Sequence, residues 1–288
     1  MNLSHLFGQI VTGLVAGGGY AIVAVGLTYT LGLARVMNFA FGTLYMLAAF
    51  ITATLMVRLG IGYVFAGLLT LGAASLAGFL LSRSVVIPAL RISDSAVMIA
   101  TLGVGVALTN LAQVAFGADV TFVNAPFINT VYHIGSAAVT LQALIVLAAA
   151  PLVTFALSLM MRRTQIGRLI RATAEAPELA GATGVNVPRV QAVAVSIGVV
   201  LAAFAAFLYS PVGVISIHMG DEVLLKSFAI SALAGIGRIT GALFIGIAIG
   251  VFEALVSGYI STAWSSAAIY GVLVLTLLFY PRGIFRGH

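Results

Sequence analysis

The sequence predicts an all-α, polytopic membrane helix bundle, and three observations carry that expectation. Of 288 residues, 62% are hydrophobic and only 7% are charged, whereas roughly a quarter of a soluble domain is charged. The apolar residues fall in long unbroken runs such as Ala143–Met161, not in the alternating segments of roughly ten residues that build a membrane β-barrel. The basic side chains sit between those runs. Thirteen Lys and Arg with seven Asp and Glu cannot cover a soluble surface. A soluble enzyme, a nucleic-acid-binding domain and a disordered chain are thereby excluded.

A span needs about 20 mostly apolar residues. That length gives candidates at 6–31, 37–57, 62–82, 95–116, 137–161, 191–212, 240–258 and 265–281. The first has no basic stretch before it and is too long for the apolar core of a cleaved signal peptide, so it reads as a retained span. A ninth, shorter piece at 223–237 contains Lys226 and is interrupted by Gly235 and Gly237. It reads as a short span, a half-helix or a re-entrant segment, with a crossing favoured by charge. If all nine pieces cross from an outside N-terminus, Arg35, Arg83, Arg91, Arg162, Arg163, Arg168, Arg171, Arg189, Arg238, Arg282 and Arg286 face the cytoplasm. Only Arg58 and Lys226 then face outside. Basic residues concentrate on the cytoplasmic side of membrane proteins, so the expected topology is N-terminus outside and C-terminus cytoplasmic. Tyr63, Tyr132, Tyr209, Tyr259 and Trp264 then fall at outer helix ends, and Tyr280 and Phe285 at the last inner end, where amphipathic rings are favoured.

The chain has 32 glycines, although Gly weakens an isolated helix. Pairs at spacing four, Gly13 and Gly17, Gly237 and Gly241, Gly246 and Gly250, predict close helix packing in lipid. Gly32–Gly42 and Gly235–Gly246 each place one Arg between glycines before a span of the same direction. That faint echo suggests a parallel duplication, a pattern often found around transport sites.

No extramembrane domain is expected, so residues 1–288 read as one membrane domain. The longest polar stretch is the segment 162–190, and no phosphate-cradling G-x-x-x-x-G-K-[ST] run exists. The absence of Cys excludes disulfides and thiolate sites. His5, His133, His218 and His288 lack metal-ligand spacing, and no nucleophile motif appears. The expectation is therefore no catalytic residue, no metal and no cofactor.

The segment 162–190 is where contact chemistry concentrates. Ile166, Leu169, Ile170 and Ala174 have helical spacing, with Arg168 and Arg171 on another face. Glu175, Glu178 and Leu179 continue into a second short helix, which Gly181 and Gly184 end before Pro188. One reading is a basic helix resting on lipid headgroups. The carboxylates and small residues favour a protein groove instead, with Gly181 permitting close approach and Gly184 a sharp turn.

This loop resembles the cytoplasmic "EAA" loop of ABC-importer permeases. More closely, Arg163-Thr164-Gln165-Ile166-Gly167-Arg168, Arg171-Ala172 and Gly184-Val185-Asn186 resemble the permease subunits of branched-chain amino-acid importers. Val36–Gly42, Lys226-Ser227-Phe228 with Gly235-Ile236-Gly237, and Phe279–Phe285 match further motifs of that family in order. The resemblance implies a permease subunit moving branched-chain amino acids or related small solutes inward, in the inner membrane of a bacterium. It implies two separate ATP-binding subunits docked on the loop, a second homologous permease and a periplasmic solute-binding protein. Phe41 stands where the family usually has His, which puts the solute in question.

Other polar residues divide between packing and transport. Asn38, Thr101, Asn110 and Gln113, with Phe41 beside them, are candidates for lining a path. Capping is the plainer role for Asn38. Glu253 alone among the acids lies deep in a span, where a helix contact or snorkelling is favoured over a gate. Asp221 and Glu222 read as outer-loop charges, solvated or touching a binding protein. An ion-coupled secondary transporter is the alternative function, disfavoured by the scarcity of intramembrane ionisable groups. A membrane-embedded enzyme would need a convergent catalytic set.

Overall fold

In the computed structural model, residues 3–33, 35–117, 119–134 and 137–279 are described. Helix α1 is Leu3–Gly32. Helix α2, Phe41–Ala53, widens into a π turn at Thr54–Arg58. Helix α3, Tyr63–Leu81, runs through a second π turn, Ser82–Val86, into α4, Ile87–Leu90. After α5, Asp94–Phe116, comes a hairpin of β1, Val131–Ile134, and β2, Ala137–Thr140. Then follow α6, Leu141–Arg163; α7, Gln165–Glu175; α8, Pro177–Ala182; α9, Val187–Tyr209; α10, Met219–Ala234; α11, Ile239–Tyr259; and α12, Thr262–Phe279. Among the described residues, seven helices are long and apolar enough to cross a membrane. Helix α10 has 16 residues and α12 has 18. The chain is thus a polytopic helix bundle.

Several boundaries differ from the sequence expectation, each for a local reason. The span expected at 37–57 becomes helical only at Phe41. Arg35 has φ 52°, and the Asn38 side chain accepts from the Ala40 amide at 3.0 Å, so 35–40 turns outside the helix. The span expected from residue 137 starts at Leu141, because residues 137–140 pair antiparallel with 131–134 and Thr140 Oγ1 accepts from the Ala143 amide. Helix α9 begins at Val187, where Asn186 caps the Arg189 amide and Pro188 occupies the first turn. Tyr280, Arg282, Phe285, Arg286 and His288 lie outside the described residues.

The bundle is organised on an antiparallel pair, α1 and α11. A Cβ on Gly13 would sit 2.5 Å from Val251 Cα, one on Gly17 2.7 Å from Ile247 Cα, and one on Gly246 2.7 Å from Ala21 Cα. Glycine is required because the two backbones touch, which is the packing expected for three of these positions. Gly237 serves a different purpose. With φ +90° it forms the α10–α11 turn and presses on Gly32 at the end of α1.

That contact defines one end of the bundle. Leu33, Arg162, Arg171 and Arg238 surround one cavity there, and Arg83, Arg91, Gly181 and Arg189 another. Helices α7 and α8 lie at this end. At the opposite end, His5, Gln9, Thr140, Tyr209 and Val212 line a cavity of about 570 Å³ beneath the hairpin. A two-bond bridge between Thr121 and Ile215, 2.9 and 3.0 Å, ties the loop after α5 to the loop after α9.

Candidate functional site: a broken-helix junction and an exposed helix pair

The segment between α1 and α2 does not cover the bundle end; it climbs into the bundle. The Phe39 amide donates to Thr101 Oγ1 at 3.1 Å. Thr43 Oγ1 lies 3.5 Å from the Gly105 carbonyl and 3.3 Å from Thr109 Oγ1. Gly105 is the middle of α5, so α2 starts near half-depth. Residues 210–218 descend from the far end in the same way. A Cβ on Gly220 would meet the Gly42 carbonyl oxygen at 2.6 Å, so α10 also starts near half-depth. The two helices leave this junction in opposite directions.

Asn38, Phe41 and Thr101 therefore come together. Asn38 is 3% exposed, and its Nδ2 has no hydrogen-bond partner among the described residues. Phe41 is fully buried, its ring 3.3 Å from where a Cβ on Gly26 would lie. Thr101 also donates back to the Val97 carbonyl at 2.8 Å. Asn110 and Gln113 are not part of this cluster. Both are exposed on another face of α5, and Asn110 Nδ2 donates to the Val106 carbonyl at 2.8 Å. Thr109, one turn before Gln113 on α5, faces α2 instead.

Lys226 departs most from its expected place. It is not an outer-loop charge: it lies within α10 and is buried. Its Nζ donates to Glu253 Oε1 at 2.7 Å and to Tyr20 Oη at 3.0 Å, and stands 4.9 Å from the Tyr20 ring centroid. Glu253 is thus a helix contact. Asp221 and Glu222 are likewise not loop residues; they form the first turn of α10. Sequence reading also passed over Gln142. It is fully buried and donates from Nε2 to Tyr63 Oη and to the Leu208 carbonyl, both at 2.7 Å. Tyr63 is buried there, stacked 4.4 Å from Phe207.

Helices α7 and α8 form the second feature. Thr164 Oγ1 caps the Gly167 amide at 3.1 Å. Gly167 has no room for a Cβ, which would sit 2.5 Å from Met161 Cα, so α7 folds tightly back on α6. Ile170 and Ala174 are buried inward. Outward, Arg168, Glu175, Glu178 and Gly181 are exposed, with Arg171 half-buried. Leu179 is 70% exposed. Among the described residues, nothing lies within 4 Å of a notional Cβ on Gly181, and Gly184 takes φ +87°. An apolar side chain thus stands exposed beside carboxylates and open glycines.

The chain resembles known proteins along nearly its whole length. It is 30% identical over 290 residues to the high-affinity branched-chain amino acid transport system permease protein LivH of Escherichia coli strain K12, covering 96% of this chain and 94% of LivH. It is 30% identical over 296 residues to the permease protein BraD of Pseudomonas aeruginosa, covering 98% and 96%. A probable branched-chain amino acid transport permease of Methanocaldococcus jannaschii is 26% identical over 279 residues, covering 91% and 87%. Among solved structures, PsaBC from Streptococcus pneumoniae shares the fold at TM-score 0.51 and 14% identity, covering 98% of this chain and 94% of that one. Residues 9–278 match the family described as branched-chain amino acid transport system, permease component, and the chain belongs to that family.

Proposed function

We propose that the chain is the transmembrane permease subunit of an ATP-driven importer of branched-chain amino acids or closely related small solutes. It works in the bacterial inner membrane and hydrolyses nothing itself. The observation that carries this reading is the exposed α7–α8 pair on a chain of this family. Two ATP-binding subunits dock there, with Arg168, Arg171, Glu175, Glu178, Gly181 and Gly184 as the contact. The relatives are named as transport-system permeases, which supports a second homologous permease, separate ATPases and a periplasmic solute-binding protein as partners.

The arginine distribution supports placing the α7–α8 end in the cytoplasm. Arg35, Arg83, Arg91, Arg162, Arg163, Arg168, Arg171, Arg189 and Arg238 gather at or beside that end, while Arg58 follows α2 at the other. The N-terminus is then outside and the C-terminus inside. ATP binding closes the ATPases and moves α7 and α8; the bundle switches between outward-open and inward-open states. Asn38, Phe41 and Thr101 wall the solute path at the broken-helix junction, and Asn110 and Gln113 present polar groups along α5.

The test is reconstitution of the permease pair with its ATPases and binding protein. ATP-dependent uptake of leucine, isoleucine or valine is expected, and none by this chain alone under an ion gradient. Gradient-driven uptake by the isolated chain would make it a secondary transporter.

A further inference from the structure

Helix α10 has two unlike faces. Lys226, Ser227, Ile230 and Leu233 are buried. Asp221, Leu225 and Phe228, at spacing i, i+4 and i+7, share the opposite face. Asp221 is exposed, Leu225 is 55% exposed and Phe228 41%. The Gly220–Gly42 contact puts this face near the bilayer midplane. A carboxylate there does not face hydrocarbon, nor does non-helical backbone such as 35–40. Met37 and Phe39 of that segment are 38% and 37% exposed. They line one small cavity with Leu224 and Phe228 of α10 and with Asn38. This side of the chain must therefore meet water or protein.

Resting on the reading as an amino-acid importer, we infer that this junction is the solute contact: the Asp221 carboxylate takes the α-ammonium group, and the apolar cavity takes the branched side chain. Three independent features fit a zwitterionic, apolar solute. Asp221 has no ion-pair partner among the described residues. The cavity walls are Leu27, Leu31, Met37, Phe39, Leu224 and Phe228. Asn38 lines the same cavity; its buried Nδ2 has no partner among the described residues and lies beside the positive end of α2. It supplies a donor for the solute carboxylate. Asp221 and Leu224 are one helical turn apart, about 5 Å, a separation suited to the ammonium group and side chain of one small amino acid. The cavity measures about 20 Å³ in this state, room for one water, so solute enters only when α2 and α10 separate.

The chain has no Cys, so Asp221→Cys gives a unique thiol in this subunit. In the reconstituted complex, made with Cys-free partners, Asp221→Cys should raise the KM for leucine at least tenfold, with solute affinity of the binding protein unchanged. Labelling with anionic ethylsulfonate methanethiosulfonate should restore uptake; cationic ethylammonium methanethiosulfonate should not, and leucine with ATP should slow both reactions. Glu222→Cys, about 100° round the helix, should show no such charge dependence. Phe228→Ala should lower leucine uptake relative to alanine uptake, an independent readout should Asp221→Cys fail to assemble. Leucine uptake with native KM in both Asp221→Cys and Phe228→Ala overturns the inference while leaving the importer reading intact. A wild-type complex that takes up no amino acid overturns both.

Discussion

Lys226 and Glu253 face one another across the α10–α11 interface at 2.7 Å, and the lysine is completed by Tyr20 on α1. The side chains are 10% and 16% exposed, so neither charge is solvated by bulk water. The pair pins a helix that begins at half-depth to the glycine-packed α1–α11 unit. Lys226→Met leaves a carboxylate buried without its cation. That should cost about 3–5 kcal/mol, whereas replacing both partners by apolar residues should cost far less. Thermal unfolding of the purified permease, comparing Lys226→Met with Lys226→Met/Glu253→Leu, checks this; equal losses in the two would contradict it.

Two glycines, one at the α1–α11 contact and one in α3, should respond oppositely to a bulky substitution. Gly17→Leu forces a side chain into the backbone of Ile247 and should abolish stable folding, beyond the usual 1–3 kcal/mol or so of overpacking. Gly72 has nothing within 4 Å of a notional Cβ among the described residues, so Gly72→Leu should leave expression and monodispersity unchanged. Size-exclusion profiles of the two variants decide.

At Gly181 the chain offers open space, so Gly181→Leu should leave the permease folded. It should weaken ATPase docking by about 1–3 kcal/mol and lower solute-stimulated ATP hydrolysis. Normal assembly and transport by this variant would return the α7–α8 pair to a headgroup-resting role.

Topology gives a fourth expectation. A reporter fused after His288 should lie in the cytoplasm, on the side of α7 and α8. Its appearance in the periplasm would remove the N-outside, C-inside arrangement.

The final expectation concerns Gln142. Its Nε2 bonds Tyr63 and the Leu208 carbonyl at the hairpin end. Gln142→Leu strands both partners in a buried site and should cost about 1–3 kcal/mol. A thermal midpoint equal to wild type would refute that.

The helix-bundle class and the α7–α8 segment were legible in sequence because both rest on local signals: apolar run length, charge and helix-ending glycines. Gly13, Gly17 and Gly246 were legible for the same reason, since spacing four places small residues on one ridge. Lys226 was not. A lysine near the start of a short apolar piece looks like a loop charge, and its partner Glu253 lies in another helix. The late start of α2 was hidden too, because Val36–Ala40 is as apolar as the helix that follows. Only the long-range contacts of Phe39 and Thr43 with α5 place that segment inside the bundle. Gln142 carries no sequence mark, since its partners are 79 and 66 residues away.

The bridge between Thr121 and Ile215 makes the loop leading to α10 a tether. Two backbone hydrogen bonds couple the descent into the junction to the exit of α5. A displacement of α10 toward its own N-terminus must either drag that exit loop along or break both bonds together. The amides of Thr121 and Ile215 should therefore exchange with deuterium as one cooperative unit. Their exchange rate during turnover becomes a clock for the motion of a buried helix, read from the membrane surface.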